Sequence, residues 1–286
     1  MSSRQDVEFA SRGATLRGWL YRAEGGKAKP GIVMAHGFTA VREMFLDRYG
    51  EAFSAAGFTT LVYDHFGFGA SDGEPRQSPA ASVQLDGYRD AVSWLRRQDG
   101  VDAERIGIWG TSRSGGLVVA LSTENLPIRC AFAQVPGFGR PPLELSAATV
   151  ALITNALGAG RHDTIIPATS ETADGVGIMY PDDAHQWMTR VSRERAPNWR
   201  NEVRIGALAE KFFPVDAMGS VKVPLRLLVA PADKLTPPQA GMEAAAGNPL
   251  IDVIQILGGH FDAYESGFAE SSRSAIEWFA LHLCRE

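Results

Sequence analysis

Two serines lie in glycine-flanked segments of the kind that forms a nucleophile elbow, a tight turn between a strand and a helix that exposes the serine hydroxyl. Residues 69–73 (GASDG) match the G-x-S-x-G pattern in full, but two prolines follow within six residues and prevent a helix. Residues 110–116 (GTSRSGG) match it only in part, yet they lie between the strand-like Arg105–Trp109 and an apolar, helix-like run. This context predicts Ser112 rather than Ser71 as the nucleophile. A role as a helix N-cap alone would not explain Ser112, because a capping serine does not need so many small neighbours.

A serine hydroxyl is a weak nucleophile unless a histidine accepts its proton and a carboxylate holds that histidine in the correct tautomer. Among six histidines, His260 is the best placed, because it follows a strand-like segment through two glycines that let the imidazole reach toward Ser112. Asp233 comes just after another apolar, strand-like run and is the predicted acid, with Asp262 as the alternative. The other five histidines fall in settings more typical of structural residues.

The negative charge that develops on a substrate carbonyl also needs backbone N–H donors. The segment His36-Gly37-Phe38 follows a buried, strand-like run, and Gly37 allows the backbone to approach the substrate closely. A histidine–glycine pair is also common in ordinary turns. Together with the serine, histidine and aspartate, it predicts an oxyanion hole formed by the backbone N–H groups of Phe38 and Arg113.

The side chain of Arg113 raises a separate question. A guanidinium beside an apolar pocket costs free energy unless it is paired. We therefore expect a carboxylate partner for Arg113, either an acidic side chain nearby or an anionic substrate, and the sequence leaves both alternatives open.

The elements that position these residues alternate between strands and helices, which favours an α/β fold with a mostly parallel sheet flanked by helices. After two opening strands near Val7–Ala10 and Thr15–Tyr21, short apolar runs predict further strands at Gly31–Ala35, Thr59–Tyr63, Arg105–Trp109, Cys130–Gln134, Leu225–Ala230 and Ile251–Leu257.

This alternation stops near Pro136 and resumes at Val221. We therefore predict an α/β core from residues 1–135 and 221–286 and an inserted helical cap from residues 136–220, with helices in Leu145–Leu157, Asp183–Val191 and Asn201–Phe212. Aromatic residues of the cap are candidates to line a substrate pocket, although packing within the cap is the simpler explanation for them. The candidates are Trp187, Trp199, Phe212 and Phe213.

Composition excludes several classes of partner. The 286 residues are 45% hydrophobic and 21% charged, and 28 basic against 33 acidic side chains give a net charge of −5. No basic field attracts nucleic acid or anionic lipid, and no run approaches the ~20 apolar residues of a membrane span. With only two cysteines and no leader-like start, we expect a cytoplasmic protein that acts on a small acyl substrate, with a homodimer left open.

Cofactor motifs are incomplete. The glycines at 67 and 69 lack the third glycine and the following helix of a dinucleotide-binding fingerprint. The sequence also contains no H-x-x-x-H or C-x-x-C spacing, so we expect neither a metal nor an organic cofactor.

Taken together, these segments resemble the α/β-hydrolase superfamily, and in particular a branch related to dienelactone hydrolase that includes polyketide-processing hydrolases and acyltransferases. The similar segments are His-Gly-Phe at 36–38, Asp-His-Phe-Gly-Phe-Gly-Ala-Ser at 64–71, the elbow at 110–116, Asp233 with Pro237, and Gly-Gly-His-Phe at 258–261. Arg113 departs from the aromatic or apolar residue expected in that branch.

The sequence thus predicts a cofactor-independent serine hydrolase that cleaves a carboxylic ester or thioester through Ser112, Asp233 and His260. An acyltransferase with the same covalent step is the first alternative. The second, of another class, is a hydrolase-like receptor that keeps the pocket without turnover.

Overall fold

A central sheet of eight strands organises the fold in the computed structural model, which describes residues 4–140, 143–179 and 182–284. The strands run in the order β1-β2-β4-β3-β5-β6-β9-β10. Their bounds are β1 Arg4–Ser11, β2 Ala14–Tyr21, β3 Lys29–Ala35, β4 Thr59–Tyr63, β5 Val101–Thr111, β6 Cys130–Gln134, β9 Leu225–Val229 and β10 Ile251–Gln255. The last six strands are parallel to one another, while β2 is antiparallel to both β1 and β4.

Helices cover both faces of this sheet. Along β3, Ile32 and Met34 pack on one face and Val33 and Ala35 on the other, as expected for a strand that is buried on both sides. Helices α1 (Leu46–Ala55) and α7 (Phe268–Leu283) cover the first face, and α2 (Ala81–Leu95), α3 (Arg113–Leu121) and α6 (Gln239–Ala245) cover the second. The predicted fold class, a mostly parallel sheet flanked by helices, is confirmed.

The segment 136–220 adds no strand to the large sheet within the described residues. It contains α4 (Ala147–Gly158), α5 (Asp182–Arg195), a ladder of two short strands, β7 (Ile165–Ile166) and β8 (Val203–Arg204), and two 3₁₀-helices, Ile205–Ala209 and Pro214–Ser220. The helix predicted over Asn201–Phe212 is only partly present. Val203–Arg204 pair with β7 as β8, and helical structure is limited to the 3₁₀-helix Ile205–Ala209.

Helix α5 is attached to the core by polar contacts as well as by apolar packing. Glu265 accepts a hydrogen bond from the Trp187 indole at 2.8 Å and forms an ion pair with Arg190 at 2.6 Å. A second ion pair joins Arg195 to Asp47 of α1. None of the helices in the described part of the chain is long and apolar enough to cross a membrane.

Candidate active site

Ser112 lies in the sharp turn between β5 and α3. Its φ of 55° and ψ of −120° are unusual for a residue with a side chain, as expected of a strained elbow. The turn requires small neighbours: a Cβ on Gly110 would lie 2.2 Å from the Ser114 carbonyl oxygen, and one on Gly116 would lie 2.3 Å from the Gly137 carbonyl oxygen. The glycines at 110 and 116 are therefore needed by the turn itself.

Ser71, in the segment with the full G-x-S-x-G pattern, has a different environment. It is fully buried, its hydroxyl donates to the carbonyl oxygen of Asp64 at 2.7 Å, and it accepts the backbone N–H of Arg17 at 2.8 Å. The first bond closes the 64–71 loop on itself and the second ties it to β2, so Ser71 stabilises a loop and is closed to a substrate.

His260 and Asp233 meet at the carboxyl ends of β9 and β10, and both side chains are buried. His260 Nδ1 lies 2.7 Å from Asp233 Oδ2, the arrangement in which an aspartate fixes a histidine tautomer. The loop after β9 holds the carboxylate through the backbone N–H groups of Leu235 and Thr236, at 2.9 and 2.7 Å from Oδ1. The structure thus brings together the predicted acid and base.

Burial by itself raises the pKa of Asp233, but the facing His260 and the hydrogen bonds from His260 and Thr236 together lower this pKa below its usual value. The carboxylate is therefore ionised at neutral pH. In this state it can stabilise a positive charge that develops on the imidazole.

Thr236 is a member of the site that sequence reasoning missed. Its hydroxyl lies 2.8 Å from Asp233 Oδ2, 3.1 Å from His260 Nδ1 and 3.1 Å from the Val135 carbonyl oxygen. The only signal in the sequence is its position three residues after Asp233 in a loop. The alternative acid, Asp262, instead accepts the Gly259 N–H at 2.8 Å and forms part of the turn.

Ser112 and His260 line the same small cavity, together with Gly37 and Phe38. Within the described residues, His260 forms its hydrogen bonds through Nδ1 alone, which leaves Nε2 to accept a proton from Ser112. Ser112 Oγ and Nε2 are not hydrogen-bonded to each other here, and such catalytic bonds often form only with substrate in place.

The predicted oxyanion donors lie beside the serine. A Cβ on Gly37 would lie 2.9 Å from Ser112 Cβ, so only glycine lets the loop after β3 approach the elbow this closely. Neither the Phe38 N–H nor the Arg113 N–H is hydrogen-bonded to another residue in the described ranges. Both donors are therefore available to a substrate oxygen.

Two buried histidines fix the position of this loop relative to the elbow through hydrogen bonds. Ser114 Oγ donates to the His36 carbonyl oxygen at 2.5 Å and lies 2.8 Å from His65 Nε2, which must therefore carry the proton. His36 Nδ1 donates to the Gly37 carbonyl oxygen at 2.9 Å, and its Nε2 accepts the His65 N–H at 3.1 Å. Burial lowers the pKa of His36 to about 4 and that of His65 well below its usual value, so both rings are neutral at pH 7.

A larger cavity, with a volume of about 180 Å³, opens on the other side of Ser112. Phe212 lines this larger cavity, while Trp187 lines the smaller one. The other two predicted aromatics line neither cavity: Trp199 packs against the core, and the ring of Phe213 stacks under Arg140, 4.3 Å from its guanidinium. The predicted set of pocket aromatics is thus corrected to two residues, because residue type alone could not show which rings face Ser112. Tyr180, another cap aromatic, lies outside the described residues.

The profile of the alpha/beta hydrolase family matches residues 32–270, which include Ser112, Asp233 and His260. The chain belongs to the alpha/beta hydrolase family. Membership agrees with the sheet order, with the elbow and with the resemblance found in the sequence.

Relatives of this alpha/beta hydrolase have several named activities. It is 28% identical over 269 residues to the quorum-quenching protein AidA of Acinetobacter baumannii, covering 91% of this chain and 88% of AidA. It is 30% identical over 213 residues to a thiohydrolase of Eupenicillium brefeldianum, covering 72% and 68% of the two chains.

The third relative is the polyketide transferase GrgF of Penicillium sp., which is 36% identical over 134 residues, 46% of this chain and 45% of GrgF. The crystal structure of GrgF superposes with a TM-score of 0.82 over 99% of this chain and 100% of GrgF, at 23% identity. The chain is accordingly an enzyme of the hydrolase or acyltransferase type.

Proposed function

We propose that this alpha/beta hydrolase is a serine hydrolase that cleaves a carboxylic ester or thioester of a small acyl substrate through a covalent acyl-enzyme. The observation that carries the proposal is the buried 2.7 Å contact between His260 and Asp233 at a cavity shared with Ser112, which lies on a strained elbow. A serine, a histidine and an aspartate in these settings have the roles of nucleophile, base and acid.

In the proposed reaction, Ser112 Oγ attacks the substrate carbonyl carbon while His260 Nε2 takes the hydroxyl proton. The imidazolium that forms is stabilised by Asp233, which accepts the Nδ1 proton in a hydrogen bond. Collapse of the tetrahedral intermediate breaks the bond to the leaving group, and His260 returns its proton to that group. Water then attacks the acyl-serine with His260 as base again, which releases the acid and restores Ser112.

The oxyanion of each tetrahedral intermediate accepts hydrogen bonds from the Phe38 and Arg113 N–H groups. Each such donor lowers the barrier by about 3 kcal/mol when it is fixed in advance. Here the donors are fixed by the turn at Gly37 and by the first turn of α3. The mechanism needs no metal or organic cofactor.

A fluorophosphonate probe tests the assignment of the nucleophile. The parent protein should be labelled and should hydrolyse p-nitrophenyl esters and acyl thioesters of graded chain length, whereas Ser112→Ala should be neither labelled nor active. Ser71→Ala is the matched control and should keep its labelling, because Ser71 is buried in another loop. Labelling that survives in Ser112→Ala, or is lost only in Ser71→Ala, would overturn the assignment, and an unlabelled parent would favour the receptor alternative.

Acyl transfer is the second candidate function, and the enclosure of the site favours it. His260 and Asp233 are only 3% and 4% exposed, and apolar side chains dominate the wall of the larger cavity. Exclusion of water allows an alcohol or amine to compete for the acyl-enzyme, and GrgF is named a polyketide transferase. Partitioning of a radiolabelled acyl-enzyme between water and added alcohols distinguishes the two: only the free acid indicates a hydrolase, and an acylated alcohol in excess of its mole fraction indicates a transferase.

We also propose that the enzyme works in the cytoplasm, a location supported by two cysteines that are not paired with each other, buried Cys130 and exposed Cys284. Cell fractionation with antibody detection tests the location.

A further inference from the structure

Arg113 combines two positions in the site. Its backbone N–H begins α3 beside Ser112, and its side chain lines the larger cavity. The guanidinium packs over the Phe212 ring, with Cζ 4.6 Å from the ring centroid, and Nη2 donates to the Pro79 carbonyl oxygen at 3.1 Å. Its Nε is buried and has no hydrogen-bond partner among the described residues.

The guanidinium of Arg113 forms no ion pair among the described residues. No carboxylate oxygen of these residues lies within 4.0 Å of it, so the ion pair with a nearby acidic side chain that the sequence allowed does not form. Glu210 acts on Arg113 only from a distance, because its two oxygens accept backbone N–H groups at the start of α2, at 2.6 and 3.0 Å. By contrast, Arg140 at the same cavity is neutralised by Asp216 through two hydrogen bonds of 3.0 and 2.9 Å.

An unpaired cation in this position is costly. Burial lowers the pKa of Arg113 to about 10, yet the side chain stays protonated at neutral pH. A desolvated guanidinium is stabilised most by a carboxylate, which matches its planar fork of donors and forms charge-assisted hydrogen bonds. The lining of the larger cavity contains no carboxylate among the described residues, and a bound molecule can supply one.

The arrangement of the two cavities indicates which part of the substrate reaches Arg113. His260 must give its proton to the leaving group, so the leaving group departs on the His260 side. His260 lines the smaller cavity, together with Trp187 and Phe261, and is absent from the described lining of the larger one. We therefore infer that the acyl chain occupies the larger cavity and extends toward Arg113.

We propose that Arg113 makes the enzyme selective for acyl groups that end in a carboxylate, such as the half-esters and half-thioesters of dicarboxylic acids. The inference rests on the proposed function and adds its substrate class. Arg113 would bind the distal carboxylate, while apolar residues of the cavity contact the methylene groups between this carboxylate and the scissile carbonyl.

Matched pairs of esters test this proposal. p-Nitrophenyl hydrogen adipate, suberate and sebacate are each compared with their methyl-capped, neutral counterparts, and the readout is the ratio of kcat/KM for the anionic ester to that for the neutral one. In Arg113→Met the ratio should fall about 10- to 100-fold for at least one chain length, the effect of losing charge-assisted hydrogen bonds. Arg113→Lys should keep part of the preference, because it retains the charge without the fork.

The matched control is the double variant Arg140→Met/Asp216→Asn, which removes the other guanidinium of this cavity together with its counter-ion and should leave the ratio as in the parent. An equal fall in the double variant, or an unchanged ratio in both Arg113 variants, would overturn the proposal.

A second substrate places the carboxylate on the leaving group, as in 4-carboxyphenyl hexanoate. Its kcat/KM should not change in Arg113→Met, and a change would place Arg113 on the leaving-group side instead. A parent that cleaves no ester and is not labelled at Ser112 would refute the hydrolase proposal itself, whereas a parent that cleaves neutral and anionic esters with no role for Arg113 would refute this inference alone.

Discussion

Acid should destabilise the protein through the buried histidines that hold the oxyanion loop. In the unfolded chain His36 binds a proton below about pH 6.5, but in the folded protein it stays neutral until about pH 4. The unfolded state therefore binds more protons between these values, so the free energy of unfolding falls as pH decreases through this window. His65, whose pKa is also lowered by burial, acts in the same direction.

The size of this effect follows from the two pKa values of His36. One pKa unit corresponds to about 1.4 kcal/mol, so the complete loss by pH 4 is about 3 kcal/mol. Of this, about 2 kcal/mol should be lost between pH 7 and pH 5. A domain with a typical stability of about 5–15 kcal/mol would register such a loss clearly.

Urea denaturation at pH 7, 6 and 5 measures the effect. His36→Asn keeps a donor for the Gly37 carbonyl oxygen but cannot become an imidazolium, so its stability should fall about 2 kcal/mol less than that of the parent over this range. Asp64 and Arg42, which face His36, are present in both proteins, so the difference reports the titration of His36 together with its electrostatic effect on His65.

The control is His162→Asn, which replaces an exposed histidine of the cap and should follow the parent at every pH. Parallel pH profiles for the parent and His36→Asn would refute the assignment of His36 as a neutral, buried ring. A lower stability of His36→Asn at pH 7 would not affect the test, because the readout is the slope with pH.

Three further outcomes are expected. Asp233→Asn should lower kcat on the order of 10⁴-fold by favouring the wrong histidine tautomer, whereas Asp262→Asn should keep most of the activity, and the reverse order would mean that the acid is misassigned. Dialysis against EDTA should leave turnover unchanged, and a loss that zinc restores would contradict a metal-free mechanism. Phe212→Ala should change the ratio of kcat/KM between short and long acyl esters by a factor that corresponds to about 1–3 kcal/mol. Phe213→Ala is the control and should leave this ratio unchanged, because the Phe213 ring stacks under Arg140 outside the cavity. Equal shifts in the two variants would show that the larger cavity does not hold the acyl chain.

The sheet and the elbow could be predicted from sequence because their physical requirements are local. A strand that is covered on both faces needs a continuous apolar run, and β4 and β6 are buried at all five positions, where such runs were found. The elbow needs small residues at fixed offsets from Ser112, and these can be read directly. The full G-x-S-x-G pattern at Ser71 was rejected on the same local grounds, because no helix can follow it.

Features that depend on contacts between distant segments could not be predicted. Thr236 takes part in the site only because the loops after β6, β9 and β10 meet around its hydroxyl. Among the cap aromatics, Phe212 and Trp199 are alike in type but differ in what they face. The strand at Val203–Arg204 forms because β7 is available to pair with it, whereas its sequence alone indicates a helix.

The attachment of α5 has a consequence for how one wall of the smaller cavity responds to salt. The helix contacts the core through the ion pairs Arg190–Glu265 and Arg195–Asp47, whereas its inward face carries apolar side chains such as Trp187. Salt screens exposed ion pairs, whereas it leaves the packing of buried apolar side chains intact or strengthens it. Added salt should therefore weaken the polar attachment of α5, while the packing of Trp187 in the wall of the smaller cavity stays intact. A change of buffer can thus loosen one wall of the cavity that holds His260, without altering any residue that performs the chemistry.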